Sequence, residues 1–105
     1  MRYEIIDSVA LFFLCQNRND RAEFEMVKEL RGLSTKQEVE TVVFKVDVDT
    51  ILSSYVIGGM LYALKIKKKC YIIAPDSASL RKVFDLARIS QMFNWVSTLE
   101  EVYSE

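Results

Sequence analysis

Histidine is absent from all 105 residues. That removes Ser-His-Asp and Cys-His catalysis, and every zinc site that needs imidazole. Cysteine is scarce. Cys15 and Cys70 are too few for a disulfide scaffold or a four-thiolate metal site, and no CxxC spacing occurs. Both lie in apolar runs, where a thiol acts as a small hydrophobe. With only three glycines and one proline, and half the residues hydrophobic, disordered and collagen-like classes are excluded. Neither sign of charge dominates. The formal net charge is -1, so no global field exists to hold nucleic acid, and no such partner is expected. Long hydrophobic runs are missing too. Residues 8–15 are apolar but too short to span a bilayer, so no direct membrane insertion is expected. Acidic Glu4 and Asp7 precede them, where a signal peptide would carry positive charge. The run reads as a buried strand in a cytoplasmic domain with free thiols.

What is present suits one domain, residues 1–105. Residues 3–6 and 9–15 are strand candidates joined by Asp7-Ser8, an antiparallel hairpin. A helix follows from Asp20 to about residue 31, with Phe24, Val27 and Leu30 along one side and Gly32 as its stop. Residues 41–47 are rich in β-branched side chains and form a strand. Residues 53–67 form a helix with Ile57, Met60, Leu61 and Leu64 at core spacing. Residues 70–74 are a strand ended by Pro75. A helix capped by Ser77 then carries Leu80, Val83, Phe84 and Ala87 on its inner face. Residues 93–96 are a short strand. Ser97 and Glu100 have capping-box spacing before a last helix with Leu99, Val102 and Tyr103 inward. Strands separated by helices become parallel neighbours. The fold class is α/β: a mixed, mostly parallel sheet of four to five strands with about four helices.

Chemistry concentrates where the strand at 41–47 leads into the helix at 53–67. In open α/β sheets, sites gather at the C-terminal ends of the strands. Asp47 and Asp49 lie in that connection, and Ser53 and Ser54 fall at the helix start. An N-cap serine is the simplest reading of the serine pair. The core stripe, however, leaves Tyr55, Val56, Gly59 and Tyr62 pointing partly outward. That face, beside exposed serines, suits a protein partner. Gly58-Gly59 lacks the frame of a phosphate loop. Two glycines weaken a helix by roughly 1 kcal/mol each, so close packing or a partner must offset them. Lys65, Lys67, Lys68 and Lys69 read as a solvated helix end that complements the dipole.

These residues give the sequence a resemblance, over nearly its whole length, to the STAS family of sulfate transporter and anti-sigma factor antagonist domains. The family signature is a strand, a short loop, and Asp-Ser-Ser-Gly opening a helix. Here Val43-Phe44-Lys45-Val46 is followed by Leu52-Ser53-Ser54-Tyr55, with leucine for the aspartate and tyrosine for the glycine. Residues 68–75 resemble the family's later strand and proline turn. Residues 79–89 resemble its Val-Arg-Arg-Val-Leu-like helix ending in Thr-Gly-Leu. Residues 93–102 resemble its closing Leu-Phe and Ser-Leu-Glu-Glu-Ala. Asp20 loosely matches the acidic position that opens the family's first helix.

The resemblance implies a bacterial regulatory module with no cofactor and no catalytic residues. Its partner would be an anti-sigma factor that is itself a serine kinase, its phosphoacceptor Ser53 or alternatively Ser54. Asp20, Asp47, Asp49, Ser54, Tyr55, Val56, Gly59 and Tyr62 would form the docking surface. A second reading keeps the fold without the switch: a constitutive adaptor in a larger signalling or transport assembly, with homodimerisation as a variant. A third makes Asp47, Asp49 and Asp76 a Mg²⁺ site of a small enzyme.

Overall fold

The computed structural model describes residues 2–14, 20–47, 52–66, 68–75 and 79–103, with the side chains of Arg2, Asp20 and Ala22 outside that description. Strands β1 (Arg2–Ile6) and β2 (Val9–Leu14) form the expected antiparallel hairpin. Its two-residue loop places Asp7 at φ 56°, a left-handed conformation that aspartate tolerates better than most residues. Next come α1 (Asp20–Gly32), β3 (Thr41–Val46), α2 (Ser54–Lys65), β4 (Lys69–Ile73), α3 (Ser79–Leu86), β5 (Asn94–Val96) and α4 (Leu99–Tyr103). One sheet holds all five strands in chain order, and β2 to β5 pair in parallel. The α/β class and the mixed, mostly parallel sheet are those the sequence implies.

Because a β-strand alternates its side chains, each strand feeds two cores. Ala10, Phe12, Leu14, Val42, Phe44, Val46, Cys70 and Ile72 face α1, α2 and α3 in the larger one. Strand order that follows chain order explains this. Crossovers of one hand, each stepping the same way along the sheet, drop their helices on the same side. Aromatic rings tie the layer together: Phe12 stacks near Phe44, and Phe93 and Phe84 lead on to Trp95. Val9, Leu11, Val43, Tyr71 and Ile73 point to the opposite face, where Val102 of the five-residue α4 packs.

Several helical faces differ from the sequence reading. Along α1 the buried row is Glu23, Met26, Val27 and Leu30, while Phe24 stands 58% exposed. Spacing of i, i+3, i+4 and i+7 is kept, but a glutamate occupies its first position. On α2 the buried arc is Val56, Gly59, Met60 and Ala63, with Ile57, Leu61 and Leu64 only half-buried. Val56 and Gly59 are therefore interior, not outward. Nearly every residue of this helix is apolar, so periodicity cannot say which side meets a neighbour; packing against α1 as well as the sheet decides it. On α3 only Leu80 and Phe84 are buried; Val83 faces out, and Ala87 is exposed just past the end of the helix. The last helix begins one residue later than the capping box requires. Glu101, not Glu100, accepts from the Ser97 backbone N–H at 2.9 Å. Tyr103 is exposed. Ser77 lies outside the described residues.

Candidate functional site

Parallel neighbours β2 and β3 end at the same edge of the sheet, so the helices that follow them start side by side. Leu52, buried, anchors the approach to α2. Ser53 has extended backbone angles and caps the helix: its hydroxyl accepts from the Val56 N–H at 3.3 Å, and its carbonyl accepts from Ile57 at 3.0 Å. The same hydroxyl donates to Glu23 Oε2 at 2.9 Å. Glu23, in the first turn of α1, is only 7% exposed. It is the single buried charged residue among those described. A buried carboxylate is costly unless hydrogen-bonded, and the partial positive charge at the start of α1 favours an anion there. The Ser53–Glu23 bond thus ties the mouth of α2 to the first turn of α1.

Around this pair the expected residues separate into three groups. Ser54 is exposed, and Tyr55 is 44% exposed beside it. Tyr62 is half-buried, with the Arg31 guanidinium 5.8 Å above its ring centroid. Val56 and Gly59 are buried and present no surface to a partner. Asp47 is exposed just past β3, and lines a recess of about 290 Å³ with Lys45, Val46, Ile73, Ala74, Pro75 and Ser97. Asp20 opens α1. Asp49 and Asp76 lie outside the described residues. Among those described, no three acidic or thiol side chains gather as metal ligands would.

The glycine pair divides cleanly. A Cβ on Gly59 would lie 3.1 Å from Leu30 Cδ1 and 3.2 Å from a Val27 methyl, so its bareness lets α2 approach α1. A Cβ on Gly58 would meet nothing within 4 Å. Gly58 is exposed between the Tyr55 and Tyr62 turns, and the domain's own packing does not require it.

Cys70 sits in the larger core, and burial pushes its thiol up to about 12, leaving it inert at neutral pH. Among the basic cluster, Lys68 is structural, since its ammonium donates to the Lys36 and Val39 carbonyls. Lys65 closes α2, Lys69 is exposed, and Lys67 lies outside the described residues.

The residue sequence reasoning missed is Glu23. Its signal was present: it stands where an apolar residue would complete the α1 stripe. No known family profile matches the chain, and no curated protein is similar enough to be matched.

Proposed function

We propose that the domain is a bacterial, cytoplasmic STAS-like regulatory module that docks an anti-sigma serine kinase through the mouth of α2 and is released by phosphorylation there. The observation that carries this reading is the placement of Ser53 at the N-cap of α2, beside exposed Ser54 and Tyr55. A phosphate on Ser53 adds about -1.5 to -2 charges. The α2 dipole accommodates that charge, so the domain stays folded. The Glu23 carboxylate must withdraw, because two anions repel at that distance. A partner lying across Tyr55 and Gly58 meets a bulky, hydrated dianion and leaves. Gly58 supports the docking half of the reading: it is bare on the outer side of α2, where the domain's own packing does not call for a glycine. Arg88 supports the resemblance itself. At φ 60° it closes α3 in the left-handed conformation that glycine favours, at the place where the family helix ends in Thr-Gly-Leu.

Incubation with an anti-sigma serine kinase and ATP, followed by mass spectrometry, tests the switch. Phosphate is expected on Ser53, with Ser54 as the alternative acceptor. Capture of the kinase should survive Ser53→Ala and fail with Ser53→Asp. Equal capture by both variants, with loss only on Tyr55→Ala, would replace the switch by the constitutive adaptor. The double bonding of the Ser53 hydroxyl is what favours that second reading.

A further inference from the structure

The outer sides of α1 and α2 meet in one exposed seam. The two helices run side by side in the same direction. Ser53 bonds Glu23 at their starts, Gly59 faces Val27 and Leu30 midway, and the Arg31 guanidinium lies over the Tyr62 ring near their ends. Phe24, Lys28 and Arg31 follow one another at i, i+4 and i+7 along α1, and all three are exposed. Tyr55, Gly58, Tyr62 and Lys65 stand at i, i+3, i+7 and i+10 along α2, exposed except for half-buried Tyr62. The Arg31–Tyr62 contact brings the two rows together. Aromatic rings hold the start of the seam, a bare glycine its middle and cations its far end.

Its charge has one sign. α2 contains no acidic residue. On α1, Glu23 is buried against Ser53, Glu25 pairs with Arg21, and Glu29 lies towards Lys36 on the other flank. Lys28, Arg31 and Lys65 make no ion pair among the described residues. Arg31 and Lys65 offset the dipoles of their helix ends, whereas Lys28, a turn earlier, has none to offset. Two helices side by side leave a trough that a third can fill. We propose that this seam receives an acidic amphipathic helix of the partner protein, its apolar anchors on Phe24 and Tyr55 and its carboxylates towards Lys28, Arg31 and Lys65. A second copy of the chain is a poor occupant, because two such seams would set cation against cation. The proposal rests on the docking half of the regulatory reading, a partner across α2, and not on that partner being a kinase.

Two synthetic peptides of about four helical turns, stapled to hold the helix, test the seam without the kinase. Both carry leucine at i, i+3 and i+7; one has glutamate on its flanks and the other lysine. Calorimetry and amide chemical shifts of the full chain should show saturable binding of the glutamate peptide, with shifts at Phe24, Gly58 and Arg31. The lysine peptide should bind about tenfold more weakly. Phe24→Ala, and Lys28→Gln combined with Arg31→Gln, should each lose about tenfold against the glutamate peptide while unfolding in urea at an almost unchanged midpoint, as exposed substitutions do. Lys82→Gln, which removes an exposed cation on α3, should bind as the parent does. The proposal is overturned by absent saturation, by equal binding of the two peptides, or by indifference to the Phe24 and Lys28/Arg31 variants. Phosphatidylglycerol vesicles that bind through Phe24 and displace the glutamate peptide would overturn it in favour of a lipid surface. A purified kinase that the parent captures and the glutamate peptide does not displace would overturn it and leave the regulatory reading standing. Peptide binding as described with no kinase captured would overturn the regulatory reading alone.

Discussion

Ser53 and Glu23 show how one hydroxyl can serve two groups at once: a helix N-terminus and a buried anion. Ser53→Ala removes the cap and leaves a carboxylate short of a partner. A loss of about 1–3 kcal/mol in urea denaturation is expected. Ser54→Ala, one residue along and exposed, should change stability by no more than about 0.5 kcal/mol. Cys70 gives a pH signature. Its thiol is raised to about 12 in the folded state, whereas the unfolded chain ionises near the ordinary thiol value of 9.0. Below pH 9 both states keep the proton and the contribution is complete. Between pH 9 and 12 the unfolded state releases it while the native state does not, so stability falls as pH rises. Cys70→Ala lacks that slope. Its stability deficit against the parent at pH 8 should shrink by pH 11, measured by urea denaturation at each pH.

Among the elements, α2 carries two glycines with opposite consequences. Gly58→Ala should stabilise the isolated domain by about 1 kcal/mol, because helix propensity improves and the new methyl meets nothing. Gly59→Val should destabilise it by about 1–3 kcal/mol, because the branched side chain would drive into Val27 and Leu30. If Gly58 serves docking, Gly58→Ala should weaken kinase capture while raising the melting temperature. The end of α3 offers a further test. Arg88 at φ 60° is followed by an Ile89 N–H bond to Phe84 O, the closing geometry in which glycine is preferred. Arg88→Gly should therefore gain up to about 1 kcal/mol in thermal or urea unfolding. At this scale the sequence was legible in strands and order, where β-branched runs and turn residues leave little choice. It was less legible in helix facing. On α2 the apolar residues run all round, so no stripe singles out the side that meets α1. On α1 the interior position is filled by a glutamate, which a hydropathy pattern assigns to solvent. The serine pair was legible as a helix start, but nothing in its spacing pointed to Glu23, thirty residues earlier, as the acid that holds it.

Across the whole molecule, the sheet is closed on one side by three helices and only partly on the other. Lys68 acts as a strut between these layers. It reaches from the start of β4 to the carbonyls of Lys36 and Val39, pinning the connection between α1 and β3. Lys68→Met would leave those carbonyls without their donor. A cost of about 1–3 kcal/mol is expected, with faster amide exchange at Val39 and Glu40. The sequential order of the strands has another outcome. Each strand that leaves the ribosome finds the edge it must join already laid down, and none waits for a later segment to be threaded beside it. Nascent chains arrested after β3 should thus already show slowed exchange in the hairpin, and lengthening the chain should extend protection strand by strand, like courses of brick laid outward from a finished wall.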